Sequence, residues 1–406
     1  MLIDTDSFAD LTYCTNIHPA NGWDDVSQAL LHHAPTIKAA TSPDAPFGIG
    51  LRLSGDESRE LLAGNNLRIF RDQLDDLGCY VSLINGFPHG PFHGTPVKAN
   101  VHAPDWRSDE RLDYTCRLAE ALATLLPPGG DGGISTNPLS YSSWIKRDGG
   151  LITRMTRNIA RSVAHLVRIG RDTGRLIHLD IEPEPDGVIE TSQQFVEFFE
   201  TELLTTGRET LCDALGVDKK EAEQLLRDHV AVCLDTCHAA VMFEPMDECI
   251  QHYLDAGVRI GRVQISSAVR ASFAESSSDV AQIKQALTPF SESVYLHQVV
   301  GRRKDGSLVR FPDLHDALTT GPCADTEEWR IHFHVPIFAD AFDRLASTQF
   351  NIRELLDIHR RVPITQHFEI ETYTWDVLPA NLKLGLTDSI IREYAWVRDC
   401  FSNAEL

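Results

Sequence analysis

The sequence predicts one (β/α)8 barrel over residues 1–406, and three features of the chain lead there. Short apolar runs alternate eight times with helix-length amphipathic segments, as parallel strands joined by crossover helices require. No composition shift, linker, repeat or low-complexity segment divides the chain. The length exceeds the ~250 residues usual for this fold, and the surplus gathers in two loops, after the third and seventh strands.

The first strand is Leu11–His18 (LTYCTNIH), followed by a helix from about Asp24 to Thr41. Phe47–Ser54 is the second strand, and a Gly-Asp-Glu-Ser start leads a helix towards Leu77. Cys79–Asn85 is the third, with a loop rich in Gly, Pro and His from Gly86 to Asp109. Helix Glu110–Leu126 precedes strand four, Gly132–Asn137, and Leu151–Asp172 has apolar residues every three or four positions. Strand five is Arg175–Glu182, with helices near Ser192–Leu204 and Arg208–Asp228. Strand six opens at Val230, and helix Met246–Ala256 leads to strand seven, Val258–Ile265. Residues 267–339 form an expected insertion. It holds a helix near Val280–Leu287, a hairpin of Val294–Val299 and Ser307–Phe311 around Lys304-Asp305-Gly306, and a further segment Ile331–Ile337. Helix Ile352–His359, strand eight at Ile364–Thr372 and helix Thr387–Cys400 complete the pattern.

Alternation along each strand sorts its side chains into two faces. His178, Asp180 and Glu182 share one face of strand five, and Cys233 and Asp235 one face of strand six. Arg262 and Gln264 do so on strand seven, and His367, Glu369 and Glu371 on strand eight. The apolar faces suit the surrounding helices, so the polar faces point inward. The last acid or amide of each, Glu182, Asp235, Gln264 and Glu371, then lies at the C-terminal mouth. Buried carboxylates need a cation or protons. Three acids and one amide oxygen form a hard-donor set, suited to one Mn²⁺ or Mg²⁺, or to Zn²⁺ or Co²⁺ if a histidine such as His334 joins.

Each piece also has a plainer reading. Asp235 is placed to cap a helix, and Glu182 and Glu184, between prolines, suit a loop surface. His332 and His334 suit a polar hairpin edge, and Glu369 suits pairing with an internal Arg or Lys. The convergence of four acids or amides at one end of four successive strands favours the site.

Bulk properties narrow the partners. A net charge of −22 opposes phosphate-backbone binding, which rests on Lys and Arg. Nine cysteines without a CxxC framework suit reduced thiols in a cytoplasm. The first residues, MLIDTDSFADLTYC, carry no signal-peptide pattern, and no apolar run approaches the ~18 residues of a membrane span.

The ordered set Glu182, Asp235 with His238, Gln264 and Glu371 resembles the xylose isomerase-like TIM-barrel superfamily, in its tagatose epimerase and hydroxypyruvate isomerase branch. The resemblance implies one divalent metal on those four residues, catalytic Glu182 and Glu371, and His238 as a substrate contact. His18, Arg52, Asn85 and Lys98, at or after the ends of strands one to three, are further candidate substrate contacts. The strings CTNIHP at Cys14, GIGLRL at Gly48, IEPEP at Ile181, LDTCH at Leu234 and ETYTW at Glu371 look like the metabolite traffic protein EboE family. That narrower likeness implies a role around small secondary metabolites. The leading expectation is a metal-dependent isomerase or epimerase acting on a sugar, cyclitol or related polyol through an enediolate. The alternatives are a metal-dependent phosphoesterase of the endonuclease IV type and a non-catalytic metabolite binder.

Overall fold

Eight parallel strands ring one axis: β1 Ala9–Tyr13, β2 Phe47–Arg52, β3 Cys79–Asn85, β4 Asp131–Thr136, β5 Leu176–Ile181, β6 Val230–Asp235, β7 Arg259–Ile265 and β8 His367–Ile370. The structure, a computed structural model, describes residues 1–4, 9–94, 96–145, 149–273, 277–378, 380, 383 and 385–402. Hydrogen-bonded neighbours run β1, β8, β7, β6, β5, β4, β3, β2, with Leu2–Asp4 added antiparallel to β1. The ring closes between β1 and β2 through one bridge, Cys14 with Gly50, and a bond from Arg52 N to Thr15 Oγ1 at 2.8 Å. The chain is a (β/α)8 barrel, nearly closed. Among the described residues no helix is long and apolar enough to cross a membrane.

Local chemistry explains where the elements depart from expectation. The first strand stops at Tyr13, and Thr15–Ile17 turns as a 3₁₀ segment that carries Asn16 into the mouth. The helix expected from Gly55 to Leu77 is two, Gly55–Leu62 and Asn66–Leu77, divided at Gly64 with φ +58°. Ser54 and Glu57 form a capping box at the start of the first. The helix expected over 208–228 likewise ends at Gly216, in the left-handed region, before Asp218 caps Lys219–His229. Strand eight is shorter than expected, four residues.

Between β7 and β8 the chain builds a second, antiparallel sheet. Its order is Leu308–Phe311, Val299–Arg303, Thr326–Ile331, Val269–Ser272, Leu345–Ser347, Ala341–Phe342. The hairpin therefore uses Val299–Arg303, not Val294–Val299, and the expected segment at Ile331–Ile337 is the exit of a strand that ends at Ile331. Val335 N bonds Ser267 O at 2.9 Å, tying this exit to the end of β7, and Thr348 N, after Leu345–Ser347, bonds Ala268 O at 3.0 Å.

The barrel interior is charged in its middle layer. Arg262, fully buried, donates from Nε to Asp180 Oδ2 at 2.9 Å and from Nη1 to Glu369 Oε2 at 3.1 Å. Glycines make the room. A Cβ at Gly50 would sit 1.7 Å from Glu369 Oε1, and one at Gly261 would sit 2.1 Å from Asp180 Oδ1. Removing one partner of a buried ion pair strands the other and costs about 3–5 kcal/mol. Arg262→Met should therefore lower unfolding free energy by about that amount in a denaturant titration. A loss below about 1 kcal/mol would show that the carboxylates find other partners.

Candidate active site

At the C-terminal mouth, donor atoms of Glu182, Asp235 and Glu371 lie within 4.8 Å of one another, all three residues buried. Glu182 immediately follows β5, Asp235 ends β6, and Glu371 immediately follows β8. Asp235 caps a helix with one oxygen and leaves the other without a hydrogen bond. Oδ1 accepts from the amides of Cys237 (2.7 Å) and His238 (3.0 Å) and from Ser266 Oγ (2.6 Å), capping the short helix Thr236–Val241. Oδ2 has no hydrogen-bond partner and faces the other two acids.

Glu371 is held by two side-chain amides. Asn16 and Asn85 both donate to its Oε1, at 2.8 and 2.9 Å. Glu182 Oε1 is 3.7 Å from His238 Nδ1, and its Oε2 has no partner. Burial drives the Glu182 carboxyl well above its ordinary pKa, and Asp235 and Glu184 push it further. Burial does the same to Glu371, with Glu182 and Asp235 adding to it. Burial also pushes Asp235 up, but His238, His334 and the Ser266 hydroxyl outweigh it and hold that group low.

Three histidines complete the wall, two of them from the exit of the inserted strand. His334 Nδ1 lies 2.8 Å from the Glu371 carbonyl oxygen, and His332 Nδ1 lies 2.8 Å from Gln298 Oε1. His238 Nδ1 lies 3.1 Å from the Pro183 carbonyl oxygen. Each oxygen can only accept, so each ring carries its proton on Nδ1 and presents a bare Nε2. His334 Nε2 is 3.9 Å from Asp235 Oδ2 and has no partner. His238 Nε2 and His332 Nε2 face each other at 3.1 Å, an arrangement of lone pairs that needs a proton or a cation between them. Donor atoms of Asp235, His238 and His334 lie within 4.8 Å, as do those of Glu184, His238 and His332. The unpaired oxygens and bare imidazole nitrogens fit a divalent cation, and the added nitrogens widen the fit towards Zn²⁺.

The other expected residues are distributed as follows. Gln264 lies beside Asp235 and Glu369 in strand register, and its Oε1 accepts the Cys233 thiol at 3.2 Å. The residue of the β7 segment at the level of Glu371 is Ser266, whose hydroxyl serves Asp235. Asn85 and His238 line the cavity. Arg52 pairs with Glu57 at 3.1 Å and donates to the Gly90 carbonyl at 2.5 Å, so it anchors the loop after β3. His18 stacks on His33 and lines a smaller neighbouring cleft with Arg52. Lys98 pairs with Asp313 of the insertion at 2.6 Å and does not join the cavity wall.

Residues not singled out as site members complete the cavity. Glu184, lifted by burial to about 8, turns inward rather than lying on a loop surface. Phe92, Tyr295 and Tyr373 close over the mouth with ring centroids 5.1–5.2 Å apart. They come from the loop after β3, the insertion and the turn after β8. The space beneath is about 50 Å³, below the roughly 300 Å³ at which ligand pockets usually begin.

No family model and no curated protein matches the chain. Its overall course is similar to several solved structures. An L-ribulose 3-epimerase aligns at 12% identity over 98% of this chain and 95% of that one, with a TM-score of 0.49. The IOLI protein with a binding zinc atom aligns at 12% identity over 98% and 99%, TM-score 0.48. A D-tagatose 3-epimerase-like protein aligns at 10% identity over 96% and 98%, TM-score 0.47.

Proposed function

We propose that the chain is a divalent-metal-dependent isomerase or epimerase acting on a small polyhydroxylated carbonyl compound, a sugar or cyclitol. One observation carries this: buried Glu182, Asp235 and Glu371 converge within 4.8 Å with unpaired oxygens. The metal would be held by these three and by His334, whose bare Nε2 faces Asp235. Gln264, the other candidate, is engaged by Cys233. A divalent ion bound there supplies positive charge against the anion that develops on the substrate oxygens.

The protein groups divide the remaining work. One of Glu182 and Glu371 takes the proton from the carbon beside the carbonyl, and the other delivers a proton to a neighbouring carbon or to the opposite face. Both carboxyl groups line the one cavity, so one can take the proton and the other return it. Asn16 and Asn85 occupy Glu371 Oε1 and leave Oε2 as the exchanging atom. His238, on the cavity wall, is placed to hold a substrate oxygen. The aromatic cover excludes water that would otherwise quench the carbanion. The resemblance to the metabolite traffic protein EboE family would place the substrate among secondary metabolites.

A second reading, metal-dependent phosphoester hydrolysis, draws on the His238–His332 contact at 3.1 Å, which suits a further zinc ion shared with Glu184. Phosphatase turnover requiring more than one metal in this mouth would favour it.

Glu182→Gln and Glu371→Gln should each cut exchange of solvent deuterium into a polyol substrate by about 10²–10⁴-fold. Exchange retained in both variants would end the assignment. His334→Ala should weaken metal binding at this mouth by tenfold or more, and Gln264→Ala should weaken it far less. Calorimetric titration with Mn²⁺ and Zn²⁺ decides between them, and the reverse order would return the fourth position to Gln264.

Metal stabilisation should also depend on pH. Glu182 and Glu371 hold raised pKa values in the metal-free fold. The stability of their protonated forms is present below the unfolded carboxyl value and is lost as pH rises through the raised values. A cation replaces those protons. The gain in Tm on adding Mn²⁺ or Zn²⁺ should therefore grow as pH rises above about 5. A gain that shrinks over that range would contradict the ligand set.

A further inference from the structure

The opposite end of the barrel holds a second constellation that the proposed reaction does not use. Asp131 opens β4, His178 lies near the start of β5 and His367 opens β8. β4 and β8 are not neighbours in the sheet, so the three side chains meet across the N-terminal mouth. His367 Nε2 is 2.5 Å and His178 Nε2 is 3.5 Å from Asp131 Oδ1. All three donor atoms lie within 4.8 Å of one another. Asp131 and His367 open on a cavity of about 470 Å³ at the barrel floor, lined also by Arg259, Pro363, Thr365 and Gln366, with His178 buried behind them. A barrel floor is ordinarily packed with branched apolar side chains, so a polar crossing beside open space is unusual there.

The histidine orientation points to a ligand. His178 is fully buried, and its Nδ1 lies 2.5 Å from Asp180 Oδ1. That carboxylate is in turn fixed by Arg262, so it accepts and His178 carries its proton on Nδ1. Its Nε2 faces Asp131 Oδ1 at 3.5 Å without a hydrogen bond, and although burial lowers the ring's pKa, Asp180 and Asp131 outweigh it and raise it, so a metal would take the place of the Nε2 proton. A carboxylate behind the ring nitrogen remote from the metal is the usual support of a metal-bound histidine. Asp131 is oriented from its other side, since Arg259 donates to Oδ2 at 2.8 Å and leaves Oδ1 for the site. The Arg259 charge opposes a cation, but its side chain is 36% exposed and solvent screens it.

We propose that Asp131, His178 and His367 form a second metal site, for Zn²⁺ or a similar borderline ion such as Co²⁺, with its fourth position open to the floor cavity. Two imidazoles and one carboxylate with one open position are a zinc donor set. Binding displaces the proton between His367 and Asp131 and opens their 2.5 Å contact to the wider spacing that tetrahedral ligands need. Asp131 and His367 border the cavity and have room for that shift. The middle layer of Asp180, Arg262 and Glu369 separates this site from the C-terminal one, so the two can be counted apart.

The test uses the full chain, Zn²⁺ itself and metal analysis after equilibrium dialysis. Asp235→Asn with Glu371→Gln and His332→Ala breaks every donor group at the C-terminal mouth and so removes that end as a source of bound zinc. That variant should retain one equivalent per chain, and adding His367→Ala should remove it. A folded Asp235→Asn/Glu371→Gln/His332→Ala variant that binds no zinc overturns the proposal and makes the cluster a hydrogen-bonded brace. If the His367→Ala variant does not fold, a zinc-edge anomalous map of the unmutated protein decides. A peak within about 2.0–2.2 Å of the three donors supports the site, and a floor without one overturns it. Because the first variant already lacks the C-terminal ligands, failure here leaves the isomerase reading untouched.

Discussion

An ionised carboxylate inside a barrel must find positive charge, and that requirement organises this molecule. Asp180, Glu182, Asp235, Glu369 and Glu371 all lie buried at the inner face or just past its strand ends. One guanidinium, Arg262, answers the two in the middle layer. The three above it have no such partner, and they crowd within 4.8 Å. Much of the surrounding architecture follows from this imbalance. Gly50 and Gly261 make room for the lower carboxylates, Asn16 and Asn85 neutralise one oxygen of Glu371 by donation, and the Ser266 hydroxyl and helix amides saturate one oxygen of Asp235. What remains unsaturated points into one small cavity. Burial that would be costly in a purely structural core becomes useful if a cation and a proton-transferring substrate occupy that space.

The fold was legible because a strand's period of two is a local property. Counting alternate residues along β5, β6 and β8 is enough to aim Asp180, Asp235 and Glu369 inward, and the eight alternations imply the barrel. Breaks at Gly64 and Gly216 were equally visible, since a glycine followed within two residues by Asn or Asp, residue types that favour helix starts, marks a helix end; reading each helix as continuous ignored that signal. The site was legible only so far as it is built from strand ends. Arg52 and Lys98 sit where substrate contacts belong, but the charge of Arg52 is spent on Glu57, with Gly90 accepting beside it, and that of Lys98 on Asp313. Gly90 and Asp313 are brought there by loop paths, which no periodicity encodes. Glu184 shows the converse. Flanked by prolines it looks like surface, and the inserted sheet folding over it buries it.

The insertion is therefore part of the site and not an appendage to it. On β7 the residue with ligand chemistry, Gln264, lies level with Glu369, while the position level with Glu371 is Ser266, which is too short to reach a shared ion and instead serves Asp235. That leaves a vacancy on one wall of the mouth. The exit of Thr326–Ile331 fills it with His334, whose ring is aimed by the main-chain carbonyl of Glu371 itself. A donor thus held depends on β8 for its orientation and on Ser267 for its placement, through the Val335 amide. The consequence is chemical as well as geometric. If His334 rather than Gln264 joins the proposed metal, an imidazole nitrogen replaces an amide oxygen and the donor set moves from one that prefers Mg²⁺ or Mn²⁺ towards one that also suits Zn²⁺. With His238 and His332 adjacent, the nitrogen-rich side of the mouth faces the insertion and the oxygen-rich side faces β5 and β8. A substrate oxygen entering between them would meet carboxylates on one side and imidazoles on the other, and two of those three imidazoles come from the insertion rather than from the barrel.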